Sequence, residues 1–165
     1  MAKISQKIDK LTNSIVNVVS GDSFDTIVIK AEKTELHVLK DWKFNWYKEY
    51  SQGNVVKLTI KDNSNIIQGL MSLVDGKDHI FMRLIENAPF NVGKSKIYEG
   101  VPGNLVAYAC KLSFKYGYDG FVAFEPKTNL IEHYHKTLKA VKITNSRMAI
   151  DTNAAMFLMQ KYYNK

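Results

Sequence analysis

Lys96-Ile-Tyr-Glu-Gly-Val-Pro-Gly-Asn-Leu-Val-Ala-Tyr-Ala-Cys110 decides how this chain folds, and the segment from His79 to Leu138 is organised around it. Ahead of it stands an apolar run, HIFMRLIE (His79–Glu86). Within it a glycine-bearing loop passes into a helical pattern from Gly103 to Tyr116, followed by a second apolar run, GFVAFEP (Gly120–Pro126), and a further helical pattern. The order is β-loop-α-β-α. Gly100 and Gly103 flank Val101-Pro102 where loop becomes helix, so backbone N–H groups there are open to close approach by an anion, pyrophosphate being the obvious candidate.

Outward from this centre, Leu105, Ala109, Leu112 and Tyr116 form one helical stripe with Val106 and Cys110 beside it, while Asn104, Lys111 and Lys115 lie opposite. Cys110 is therefore expected in the core as an inert small hydrophobe. Gly117–Gly120 closes the helix, and Phe121–Glu125 reads as a buried strand. Leu130, Ile131, Tyr134 and Leu138 mark the inward face of the next helix. Ala140–Thr144 reads as a short strand and Arg147–Ile150 as a candidate second one. Asp151 or Thr152 caps a final helix carrying Ala155, Leu158, Met159 and Tyr162.

Toward the N-terminus, Asn54–Lys61, Ile66–Val74 and His79–Glu86 are β-type segments separated by Asp62–Asn65 and Asp75–Asp78. Such Asp, Asn, Ser and Gly clusters suit hairpin turns, which predicts an antiparallel meander. Phe24–Ala31 reads as the first strand. Ile4, Ile8, Leu11, Ile15 and Val18 or Val19 recur at three- and four-residue steps and predict an opening amphipathic helix that ends near Ser20-Gly21-Asp22. Leu39, Trp42, Trp46 and Tyr50 fit helical spacing too, but Phe44 and the aromatic density equally suit a loop lining a pocket.

The chain has 165 residues, one domain's worth, and the expectation is a single domain spanning 1–165. Its 45% hydrophobic and 24% charged residues are ordinary for a globular protein. No stretch approaches the roughly eighteen apolar residues of a membrane span, and MAKISQKIDKL has no apolar signal core, so no membrane association and a cytoplasmic location are expected. One cysteine excludes an internal disulfide and a cysteine-based zinc cluster. The net charge of +7 would suit an anionic partner, yet the lysines are dispersed without a basic run, so nucleic acid is not the expected ligand.

Ala88-Pro-Phe-Asn-Val-Gly-Lys-Ser95 matches a permissive phosphate-loop pattern, but Gly100 and Pro102 leave barely a turn of helix behind it, and Pro89 lacks a donor. A lysine-bearing surface loop is the simpler reading. His133 and His135 bracket Tyr134 on different helix faces and cannot share one metal, so no metal site is expected.

GVPGNLVAYACKLSFKYG (Gly100–Gly117) followed by FVAFEPKTNLIEHYHKTL (Phe121–Leu138) resembles the GNAT N-acetyltransferase superfamily, over residues 54 to 144. With IENAPFN (Ile85–Asn91) included, it is similar to a bacterial subgroup of that superfamily without an assigned substrate. The resemblance implies a mixed α/β fold: an antiparallel N-terminal meander, then β-α-β-α, with helices on both faces of a central mixed sheet. It implies acetyl-CoA as cofactor, its pantetheine paired with the backbone at Leu84, Ile85 and Glu86. The pyrophosphate would meet the loop from Gly100 through Val101, Gly103 and Asn104, with Asn129 a further contact. It also implies direct acetyl transfer to a small-molecule or peptide amine, Tyr134 standing where the family's thiolate-facing tyrosine stands. Tyr134 equally fits the apolar stripe of its helix, and one tyrosine can do both.

Glu86 at the strand end is the candidate general base, with His79 a competitor. Val101 stands at the family's first glycine, Tyr98 at its usual Gln or Arg, and Lys139-Ala140 at its Gly-Phe. Trp42, Phe44, Trp46 and Tyr47 either line an acceptor pocket or pack in the core. The altered loop leaves a second reading open, a catalytically silent CoA-binding or regulatory module on the same fold, and a nucleotide-hydrolysing protein is the third.

Overall fold

The computed structural model describes residues 3–11 and 14–163. Ten strands and five α-helices are present among them. β1 (Ile15–Asn17), β2 (Ser23–Phe24) and β3 (Thr26–Lys30) precede two short helices, α1 (Lys33–His37) and α2 (Trp46–Glu49). The meander follows as β4 (Asn54–Ile60), β5 (Gly69–Asp75) and β6 (Ile80–Asn87), then β7 (Tyr98–Glu99) and α3 (Val101–Lys115). β8 (Val122–Phe124), α4 (Ile131–Leu138), β9 (Val141–Lys142), β10 (Met148–Ile150) and α5 (Thr152–Tyr163) complete the chain.

The main sheet has the order β3-β4-β5-β6-β8-β10-β9, and β2-β1-β7 form a small second sheet. β4, β5 and β6 are consecutive antiparallel neighbours, as the turn clusters predict, and β3 adds antiparallel to β4. Asp62 and Lys77 take left-handed φ of 68° in the first turn and 76° in the second, and the Asp75 carboxylate accepts from the Lys77 amide at 2.9 Å. β6 and β8 then pair in parallel across the α3 crossover, which gives the sheet its mixed character.

Two features of β6 shape the site. The register passes from Ser72↔Leu84 to Leu73↔Met82, so Arg83 is an extra residue, a bulge that bends the strand. The buried Glu49 carboxylate holds that bulge, accepting from Arg83 Nε at 2.7 Å and Ser72 Oγ at 2.6 Å. Beyond the bulge, pairing with β8 has already ended at Met82↔Phe124 while β6 runs on to Asn87. The two strands part, and a gap opens between their C-terminal ends.

α3 covers this gap's base with Leu105, Val106, Ala109 and Cys110, all buried against Ile80, Met82, Phe124, Leu158 and Tyr162. The larger of these, Leu105 and Val106, each contribute about 1.5–3 kcal/mol by burial. A second, smaller core around Leu36, Trp46, Leu70 and Leu84 includes α1, α2 and the loop between them. Ile85 joins the first core and Leu84 the second, the alternation of a strand buried on both sides.

The opening helix expected over Ile4 to Val19 does not form. Residues 3–11 contain no helical turn, and Ile15–Asn17 is a strand. Helical spacing misled because residues four apart share a face in an extended chain as well as in a helix. The helix suggested by Leu39, Trp42, Trp46 and Tyr50 shrinks to Trp46–Glu49, the rest being the loop that the aromatic density also allowed. Asp151 caps α5, its Oδ1 accepting from the Ala154 amide at 2.9 Å. Pro89–Asn91 is a single 3-10 turn with no α-helix behind Gly93-Lys94-Ser95, so the phosphate-loop geometry is absent from that segment.

Candidate active site

The gap between the ends of β6 and β8 is filled by the chain's own N-terminal strap, residues 3–11. Ile4 extends the sheet beside the end of β8, its N–H donating to the Glu125 carbonyl at 2.7 Å and its carbonyl accepting from Lys127 N–H at 2.8 Å. Gln6 bridges the two walls. Its side-chain oxygen accepts from the Asn87 amide of β6 at 3.0 Å, and its carbonyl accepts from the Tyr134 hydroxyl of α4 at 2.6 Å. Ile8 N–H donates to His133 Nε2 at 2.9 Å. Asp9 reaches the start of α3, where its carboxylate accepts from Gly100 N–H at 3.0 Å and lies 3.5 Å from Lys96 Nζ. Lys10 gives its carbonyl to the Tyr162 hydroxyl at 2.9 Å.

The loop at α3 is buried from Gly100 through Ala107. Gly100 is the N-cap with φ of 101°, a left-handed conformation that its lack of a Cβ makes inexpensive. Gly103 meets a different constraint: a Cβ there would lie 1.7 Å from the Tyr162 hydroxyl oxygen. Val101 is fully buried as the first helical residue, with Pro102 next, where a missing N–H costs little. The Asn104 N–H closes the first helical turn on the Gly100 carbonyl at 3.1 Å, and its side chain donates to the same carbonyl at 2.7 Å. Asn104 thus stiffens the loop rather than presenting its amide outward.

Leu84, Ile85 and Glu86 lie on β6 beyond the bulge, as the strand reading placed them. Glu86 is 8% exposed, and its two oxygens accept from Lys43 N–H at 2.6 Å, Phe44 N–H at 3.2 Å and Trp46 Nε1–H at 2.8 Å. Three of a carboxylate's roughly four lone-pair sites are therefore taken, and Glu86 ties the 43–46 loop to the sheet. Beside it a cleft of about 420 Å³ remains, bordered by Gln6, Asp41, Phe44, Glu86 and Val92. Tyr47 is exposed, while Trp46 is buried with its indole on Glu86, so one of the candidate pocket aromatics is core.

Tyr134 is buried, and burial raises its hydroxyl pKa above the usual phenol value. Its ring meets Phe124 edge-on at 5.4 Å. Asn129 sits in the exposed 3-10 turn ahead of α4, outside the strap's contacts. His79 pairs with Asp78 at the opposite end of β6 from Glu86 and takes no part in this site. His135 Nδ1 lies 2.9 Å from the Ala140 carbonyl, on a different face from His133. Burial pushes the Cys110 thiol up to about 12, which fits an inert core cysteine. Lys139 takes the left-handed conformation, φ 57°, at the helix exit where the resemblance puts glycine.

Asp9, Gln6, Ile8 and the Glu49–Arg83 pair are the site residues that sequence reasoning missed. The signal for the strap was the alternation Ile4, Gln6, Ile8, one face of an extended chain with a polar residue in the middle.

No family profile matches this chain, and no curated protein matches it. Solved structures do match in shape. A chimera of the Vibrio cholerae spermidine N-acetyltransferase SpeG with hSSAT aligns over 79% of this chain and 98% of its own, with a TM-score of 0.51 and 12% identity. A GNAT-family acetyltransferase from Listeria monocytogenes covers 83% and 97%, with TM-score 0.49 and 12% identity. A mutant of the toxin AtaT, bound to the C-terminus of the antitoxin AtaR and to acetyl-CoA, covers 82% and 98%, with TM-score 0.48 and 9% identity. The chain has the fold of the GNAT acetyltransferases. Among the described residues no helix is long and apolar enough to cross a membrane, and no group of three or more His, Cys, Asp or Glu is placed to hold a metal.

Proposed function

We propose that this protein is an acetyl-CoA-dependent N-acyltransferase that moves an acetyl group directly to an amine. One observation carries the reading. The free end of β6, the N-terminus of α3 and the Tyr134 hydroxyl converge on a single track, the one now traced by residues 4–10.

The residues along that track fit the cofactor. Gly100 N–H already binds a carboxylate, that of Asp9, with Lys96 beside it, so this helix start accepts an anion. Asn87 N–H offers a donor along β6 for an amide carbonyl. When bound, acetyl-CoA supplies the acetyl group as a thioester that an amine can attack. The chain's share is binding, orientation and proton movement. Tyr134 holds a proton at its hydroxyl for the departing thiolate, and burial keeps that phenol protonated at neutral pH. Glu86, on the cleft, has one lone-pair site left to take the amine's proton. Atoms balance: the C–N bond forms as the C–S bond breaks, the amine loses one proton and the sulfur gains one.

The strap favours a second reading, a CoA-binding module without turnover, since the track is filled by the chain itself. Calorimetric titration with acetyl-CoA followed by free-thiol release against amine and peptide panels separates the two. Saturable binding with thiol release supports the enzyme, and binding without release supports the silent module. No saturable binding defeats both.

A further inference from the structure

The walls of the filled gap present mostly donors, with the Glu125 carbonyl and His133 Nε2 as acceptors among them. Asn87 N–H, Lys127 N–H, Gly100 N–H, the Tyr134 and Tyr162 hydroxyls and the Lys96 ammonium all point at the strap. The strap answers mostly with acceptors: the Ile4 and Gln6 carbonyls and the Gln6 side-chain oxygen, then the Asp9 carboxylate at the helix N-terminus and the Lys10 carbonyl just past it, while the Ile4 and Ile8 N–H groups donate. Its hold is modest. Only Ile4 and Ile8 bury apolar side chains in residues 3–10, Lys3, Lys7 and Lys10 are exposed, and no regular element is formed beyond the single bridge at Ile4.

We infer that residues 4–10 are an internal stand-in for the cofactor, an autoinhibitory strap that an acyl-CoA must displace to bind. This rests on the acyltransferase reading above. A chain of amide carbonyls ending in a diphosphate matches the same donor row, with the diphosphate replacing the Asp9 carboxylate at Gly100 and Lys96. The two occupants are mutually exclusive, because Gln6 already holds Asn87 N–H and the Tyr134 hydroxyl, and Asp9 holds Gly100 N–H. Apparent cofactor affinity is then the intrinsic affinity scaled by the fraction of molecules with the strap released. Strap release also uncovers the Tyr134 hydroxyl, so occupancy and catalytic competence are switched together.

The test uses the full chain, acetyl-CoA and two readouts. In hydrogen-exchange mass spectrometry, saturating acetyl-CoA should make the peptide covering residues 3–11 exchange faster while α3 gains protection. Asp9→Ala, which removes the competing anion, should tighten acetyl-CoA binding by roughly tenfold or more, the worth of one charge-assisted hydrogen bond. Ile4→Ala, loosening the other end, should act in the same direction. Acetyl-CoA binding with unchanged or increased protection of residues 3–11, or with equal affinity in all three proteins, overturns the strap and leaves the acyltransferase reading standing. No binding to any of the three, with residues 3–11 exchanging freely in the variants, overturns the cofactor reading and the strap with it.

Discussion

Replacing Glu86 separates an anchor from a base. In Glu86→Ala the Trp46 indole N–H, buried at 2% exposure, loses its acceptor, at a cost of about 1–3 kcal/mol. The Lys43 and Phe44 amides lie in a loop of exposed and half-buried residues and can turn to water, adding roughly 1 kcal/mol between them. The sum is about 2–4 kcal/mol, a large fraction of the roughly 5–15 kcal/mol that holds an ordinary domain together. Glu86→Gln keeps the shape but turns an amide NH2 toward one of three donors, for about 1–3 kcal/mol. Urea unfolding followed by tryptophan fluorescence should show the midpoint lowered by roughly 1 M or more in the alanine variant with the slope unchanged. If both variants unfold within about 0.5 kcal/mol of the parent, the three-donor anchor is not what stabilises the loop. Parent-like stability with lost turnover in the glutamine variant would assign Glu86 to proton abstraction alone.

Tyr134→Phe, which also removes the strap's bond at the Gln6 carbonyl, should bind acetyl-CoA at least as tightly as the parent while thiol release falls by about 10²–10⁴, the usual worth of a general acid, and unchanged turnover would remove that role. Gly103→Ala forces a methyl into the Tyr162 hydroxyl and should cost about 1–3 kcal/mol by thermal unfolding, partly recovered in Gly103→Ala/Tyr162→Phe; a parent-like melting temperature would contradict the contact. Burial and then the nearby Lys7 charge lower the His133 pKa, and Ile8 N–H needs Nε2 unprotonated. A docked-state pKa below the released-state value means strap docking is fully supported above the ordinary histidine value of about 6.5 and weakens as pH falls through it. His133 faces Lys7 from the strap and the uncharged Tyr134 ring on α4. Exchange of residues 3–11, corrected for intrinsic rate, should rise between pH 7.5 and 5.5, and the rise should vanish in His133→Ala; an equal rise there would refute it.

The meander and the α3 crossover were legible because their signals are local. Asp62–Asn65 and Asp75–Asp78 are turn chemistry wherever they occur, and Gly100-Val-Pro-Gly joins a strand to a helix by backbone geometry alone. The strap was not legible, since Ile4 and Ile8 satisfy helical and extended periods alike, and the partners that choose between them lie 81 to 152 residues from the strap residues they bind: Asn87, Gly100, Tyr134 and Tyr162. The anchoring of Glu86 was hidden for the same reason. Its strand-end position was visible, but the three donors arrive from residues 43–46, a segment whose aromatic pattern hid a loop. The Arg83 bulge, held by Glu49 thirty-four residues earlier, had no sequence signal at all.

In the function proposed above, the gap between β6 and β8 takes a nucleotide-linked thioester. Isothermal titration of acetyl-CoA into the full chain and into Asp9→Ala measures this directly. One saturable site per chain, tighter in the variant and competed by free CoA, is the expected result. Two flat titrations, in proteins shown to be folded by their urea transitions, would contradict it.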